Sequence, residues 1–206
     1  MQHTTAPDFH LASASPRRRE LLRQLGYRFA VLQVDIDESP QALESAEALV
    51  LRLAARKAAA GAGLVAATLP LPVLGADTAV VATGGELLAK PATRAEALRM
   101  LELLSGRAHT VLTGVALATP AGLRTVCSET RVFFRRLDRA EMLRYWDSGE
   151  PRDKAGGYAI QGVAAAFVER IEGSYSGVVG LPLFETARLL HDAGIEGWQR
   201  EAPGNE

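Results

Sequence analysis

The sequence predicts an α/β fold in one unit, two-lobed at most. Three observations carry that expectation: a strand–helix–strand pattern at the start, a strand buried on both faces near the middle, and capped helices alternating with strands to the end. Residues 9–12 (FHLA) read as a short buried strand running into Ser15-Pro16, where serine suits an N-cap and proline the first helical position. Leu21, Leu22 and Leu25 give that helix an apolar stripe, and Gly26 ends it. Phe29, Val31 and Gln33 then begin a period-two strand, completing a βαβ opening.

The alanine-rich stretch from Ser45 to Gly61 reads as a helix with Leu49, Val50, Leu53 and Ala54 on its inner face. Pro70 and Pro72 punctuate. VLGADTAVV (73–81) is apolar and β-branched almost throughout, as a strand covered on both sides should be, and Gly84-Gly85 turns it back into ELLAK. Thr93 with Glu96 is a capping-box signature for a helix over 94–104, closed by Gly106. Residues 108–118 and 123–134 read as strands around Pro120-Ala121-Gly122, and Asp138 with Glu141 opens a helix ending near Gly149. EPRDKAGGYAIQG (150–162) is irregular, AAFVERI resumes a strand, and Pro182 opens a last helix that stops at Gly194. The core spans about 9–194, and residues 195–206 read as a polar tail. No repeat, low-complexity tract or linker divides the chain.

At 206 residues, 48% apolar and 23% charged, the chain has the composition of a globular protein with a packed core. The net charge of −1 argues against a whole-surface grip on nucleic acid or anionic membrane, leaving room for a local basic pocket. The single cysteine, Cys127, makes no intrachain disulfide, and no run is long and apolar enough to span a bilayer. MQHTTAPDFH lacks the basic segment and apolar stretch of a secretory signal, so the cytoplasm is the expected compartment.

Asp77 is the most informative position, because a carboxylate inside VLGADTAVV must be neutralised, hydrogen-bonded or metal-bound. It is either a strand-end acid capping a turn or a metal ligand or general base. SASPRRRELL (13–22) sets Ser13, Ser15 and three arginines at a helix entry, where unpaired N–H groups attract anions; a plain N-cap with a solvated basic face reads equally well. GxxxxGK[ST] is absent. Lys57 falls on the apolar face of its helix, to meet an anion or to snorkel outward, while Arg52 and Arg56 fall outside. Lys90 shares that ambiguity, and Glu38 is a second metal carboxylate or an ordinary loop acid. In the 150–162 loop, Asp153 and Lys154 supply charge and Gln161 could read the edge of a base, against the plain alternative of a glycine-rich turn. The four histidines have no metal spacing, and Tyr145 and Trp146 read as core residues.

Taken in order, LASASPRRRELL, VLGADTAVV, LAKP, SGRAHTVLTGVAL, GEPRDKAGGYAIQG and GSYSGVVGLPLFET closely resemble the Maf family of nucleotide pyrophosphatases over Leu11 to about Gly194. The resemblance implies an elongated central mixed sheet flanked by helices, two lobes around a nucleotide cleft as in inosine triphosphate pyrophosphatases, and frequent homodimers. It implies Asp77 as proton acceptor, Ser13, Ser15 and Arg17 as substrate contacts, and Glu38, Lys57 and Lys90 as charged cleft positions. It also makes Arg17, Thr78 and Gln161 the determinants of substrate choice, in a combination similar to the dTTP and UTP branch. Ala14 stands where glycine is common. On this basis a divalent cation, Mg2+ or Mn2+, is expected to bridge the triphosphate to Asp77 and Glu38. The alternatives are the 7-methyl-GTP branch and a non-catalytic regulator of septum formation.

Overall fold

A computed structural model describes residues 6–68 and 70–197. Strand β1 (Phe9–Ala12) leads through α1 (Pro16–Gln24) to β2 (Phe29–Leu32), and α2 (Ala46–Val65) leads to β3 (Val73–Val81). A short β4 (Leu87–Leu88), α3 (Arg94–Leu104), a long hairpin of β5 (Ala108–Thr119) and β6 (Gly122–Phe134), and α4 (Arg139–Asp147) follow. Strand β7 (Val168–Glu172) and helices α5 (Tyr175–Val179) and α6 (Leu183–His191) complete the described chain. The helix starts lie where the capping residues put them: Ser15, Ser45, Thr93 and Asp138 each accept a backbone N–H three residues on.

All seven strands join one open mixed sheet in the order β2-β1-β3-β5-β6-β7, with β4 against β3. β1 is parallel to β2 and β3, and the remaining pairs are antiparallel. The chain steps from β1 out to β2 and then back across β1 to β3. Two right-handed crossovers in opposite directions put their helices on opposite faces of the sheet. Leu21 and Leu22 of α1 accordingly join the large core, together with Leu101 and Leu104 of α3, Met142 of α4 and Leu190 of α6. α2 covers the other face, where Val50, Ala54, Ala58 and Val65 form smaller clusters. β3 serves both sides: Leu74, Ala76 and Val80 face the large core, whereas Val73 and Ala79 face α2.

Some boundaries differ from the sequence expectation. α2 continues past Gly61 to Val65, because Gly61 sits against Val73, Ala12 and Leu32, and an added Cβ would lie 2.8 Å from Val73 Cγ1. The glycine marks a close approach there and not a stop. The first residues of the expected strand AAFVERI belong instead to a 3-10 turn, Val163–Phe167, and β7 begins only at Val168. α5 was not foreseen; Ser174 caps it by accepting from Gly177 N. The polar tail does not begin at residue 195, since Ile195 is buried in the large core and Gly197 packs against Tyr27. The rest of that expected tail, 198–206, lies outside the described residues, as do residues 1–5. Among the described residues no helix is long and apolar enough to cross a membrane.

Candidate active site

The sheet has a break on one edge of β3. Residues Val73 to Gly75 pair with β1 and Val80 to Val81 pair with β4, so residues 76–79 have no strand beside them on that edge. A cavity of about 800 Å3 opens at this gap. Ser13, Ser15, Arg17, Glu38, Lys57, Asp77, Thr78, Lys90 and Gln161 all line it, joined by Arg18, Asp153 and Lys154. Five cationic side chains therefore face three acidic ones.

Asp77 projects toward α2. Lys57 Nζ donates to Asp77 Oδ1 at 2.7 Å and lies 2.6 Å from Glu38 Oε1. The Lys57 and Asp77 side chains are 12% and 15% exposed and Glu38 is 54% exposed, so the pair is sunk and the second acid stands at the mouth. Burial works to raise the Glu38 pKa, but the Lys57 hydrogen bond and charge, with Lys90 and Arg18 further off, outweigh it and hold the carboxyl below its ordinary value.

Lys57 reaches Asp77 because α2 rests directly on the sheet. An added Cβ at Gly75 would lie 2.4 Å from Ala54 O, and one at Gly114, the β5 partner of Asp77, 2.4 Å from Val50 O. Only glycine lets a helix backbone approach a strand so closely. Arg52 and Arg56, on the outer side of α2, hold the Glu38 segment in place. Arg52 clasps Glu44 through two nitrogens and donates to Ser39 O, while Arg56 donates to Asp37 O.

The next residue along β3 turns to the opposite face. Arg18 Nη2 donates to Thr78 Oγ1 at 3.2 Å, Thr78 and Thr113 share a 3.0 Å hydroxyl contact, and Thr113 donates to Gly177 O at 2.8 Å. With the Thr113 proton committed to Gly177, the chain of donors runs Arg18, Thr78, Thr113, Gly177. Arg18 also donates to Gly180 O at 2.7 Å and to Ser13 Oγ at 3.2 Å. Burial pulls its pKa below the ordinary arginine value, Asp77 and Glu38 oppose that shift and Arg17 adds to it; a guanidinium in this setting keeps its charge.

Sequence reasoning chose Arg17 and missed Arg18. Arg17 lines the cavity from a partly buried position, and Arg18 is the buried cation at its floor. The signal was present, because Arg18 precedes Leu21, Leu22 and Leu25 by three, four and seven residues and so shares their apolar face. Ser15 caps α1 through Arg18 N, and Ser13 Oγ accepts from Ser15 N as well as Arg18. Lys90 and Gln161 are exposed on the cavity wall. Gly75 and Gly114 are further positioning residues that sequence reasoning did not single out; an isolated glycine inside each strand was their signature.

Two carboxylate oxygens converging on one cation suit a Mg2+-type ion that takes one or two acids from the protein and the rest of its shell from substrate phosphates and water. A self-sufficient metal cage does not fit, since no group of three or more His, Cys, Asp or Glu comes together among the described residues.

An open α/β sheet with a cation-rich cleft at a broken strand edge defines the class: a protein shaped to take up a polyphosphate anion beside paired acids. Residues 8–193 match the Maf family model, described as Maf-like protein, and the chain belongs to that family. It is 53% identical over 199 residues to a dTTP/UTP pyrophosphatase of Alkalilimnicola ehrlichii, covering 95% of this chain and 98% of the relative. Proteins of the same name from Hahella chejuensis and Saccharophagus degradans are each 52% identical, covering 91% and 95% of this chain and 93% of each relative.

Proposed function

We propose that this chain hydrolyses dTTP and UTP to the nucleoside monophosphate and pyrophosphate, a nucleotide-pool activity of the cytoplasm. The names of its near-full-length relatives support the substrate class. The observation that carries the chemistry is the Lys57 ammonium held between Asp77 and Glu38 in a cleft rich in cations. Arg17, Lys57 and Lys90 offset the charge of the triphosphate, and Ser13 and Ser15 shape the turn beneath it. Water attacks the α-phosphorus, and Asp77 accepts its proton. Lys57 engages Oδ1, and Oδ2 has no protein hydrogen-bond partner among the described residues, which suits it to that role. A bound Mg2+ or Mn2+, held by Glu38 and Asp77, would supply charge neutralisation and a more acidic water. Gln161, with both donor and acceptor on its amide, reads the pyrimidine edge, and Thr78 helps place the nucleotide.

One panel tests this reading: dTTP, UTP, CTP and 7-methyl-GTP, each with and without Mg2+, followed by pyrophosphate release. Metal-dependent release with dTTP and UTP ahead is expected. Preference for 7-methyl-GTP would move the chain to that branch, and nucleotide binding without release would favour a non-catalytic role.

A further inference from the structure

The loop bearing Lys154 and Gln161 is held without a regular element of its own. Between α4 and β7 the chain makes only three 3-10 turns, Glu150–Asp153, Ala155–Gly157 and Val163–Phe167. Its two ends close on a single side chain. Glu150 Oε1 accepts from the Tyr145 hydroxyl at 2.7 Å and from Ala164 N at 3.3 Å, and its Oε2 accepts from Val163 N at 2.9 Å. The Tyr145 hydroxyl in turn accepts from Ala159 N at 3.1 Å. Gly162 lets the chain fold over the carboxylate, since an added Cβ there would lie 2.2 Å from Glu150 Oε2.

Gln161 thus sits midway between two anchored residues, Ala159 and Val163. Tyr145 is 2% exposed, and burial together with the Glu150 hydrogen bond pushes its phenol pKa up, so it remains a donor. Neither Tyr145 nor Glu150 lines the cavity. The other half of the loop has separate supports: Gly156 N donates to Ala89 O, and Gly157 N to Lys154 O. Loosening the Glu150–Tyr145 pair should therefore disturb the Gln161 end more than the Lys154 end.

We propose that Glu150 and Tyr145 are positioning residues for base selection, closing the loop so that the Gln161 amide is presented to the pyrimidine in one orientation. This deepens the functional reading above and rests on its assignment of Gln161. Uracil and cytosine differ by exchange of a carbonyl for an amine on the same edge, so discriminating them needs the amide held to within about 0.5 Å.

The test compares Tyr145→Phe, Glu150→Gln and Gln161→Ala with the parent enzyme, measuring kcat and KM for UTP and CTP alongside Tm. Tyr145→Phe and Glu150→Gln should each raise the KM for UTP about tenfold and cut the UTP-to-CTP ratio of kcat/KM about tenfold, with kcat for UTP within about twofold. Gln161→Ala should collapse the same ratio. If Gln161→Ala leaves the ratio unchanged, the assignment of the base to Gln161 fails and this inference goes with it. If Gln161→Ala collapses the ratio while the other two preserve both ratio and KM, the positioning role alone is overturned. A fall in Tm and kcat at constant ratio and KM would reduce the pair to a structural brace. Should Glu150→Gln not fold, Tyr145→Phe, which keeps the buried ring, carries the test.

Discussion

Two polar clusters border the cavity and handle burial in opposite ways. At the gap in the sheet, Lys57, Glu38 and Asp77 meet as opposite charges within 2.7 Å. Tyr158 lines the same cavity, and His109 Nε2, set back from it, lies 2.8 Å from the Tyr158 hydroxyl, with Phe134 packed edge-on against both rings. His109 has no acid beside it, and burial alone depresses its pKa from 6.5 to about 4. Tyr158 is pushed the other way, also by burial. Both groups are thus neutral at physiological pH. Charge survives burial where a partner meets it and is given up where only aromatic surface does. The contrast accords with the reactivity proposed for the first cluster and with a packing role for the second.

The strongest test of that division is Asp77→Asn, which keeps shape and removes the acid. Turnover should fall at least about a hundredfold while Tm stays within about 4 °C, read by pyrophosphate release and thermal melting. Near-normal release would erase the distinction between the clusters.

Gly114→Ala probes the support of the first cluster without touching its charges. The new methyl meets Val50 O, and such overpacking costs about 1–3 kcal/mol in denaturant unfolding. The recoil of α2 should draw Lys57 from Asp77 and raise KM, with a smaller loss of kcat than Asp77→Asn produces. Unchanged stability and KM would show that the close helix approach is unnecessary.

The smallest effect at neutral pH belongs to His109→Gln, whose amide can still bond Tyr158. Because the folded-state pKa is depressed, the unfolded chain binds this proton first as pH falls, and stability is lost between pH 6.5 and about 4. The shift corresponds to about 3 kcal/mol at the bottom of that window. The variant should show a shallower acid loss by that amount in urea midpoints, with turnover at neutral pH close to the parent. A strong fall in turnover would mean that the aromatic cluster takes part in the chemistry.

By itself the sequence determined most of the segments that become helices and strands, since the signals are local, although α5 escaped it. A cap needs a side chain three residues from the N–H it meets, as at Ser45 and Thr93, and the doubly apolar run of β3 announces its own burial. It also singled out Asp77, because a carboxylate in such a run stands out without any partner in view. Tertiary structure alone decided who meets whom. Lys57 finds Asp77 across 20 residues and Arg18 finds Gly180 across 162, through a crossover that carries α2 over one face of the sheet and α1 over the other. Arg17 and Arg18 are neighbours in sequence, and the apolar stripe of α1 marks Arg18 as the inward one, yet only the fold shows that it meets Gly180 and Thr78. Pairings of that kind depend on strand register and on how closely a helix can settle; an isolated glycine in a strand hints that something comes close, as at Gly75 and Gly114, but no short-range pattern says that it is α2 or which residues then meet.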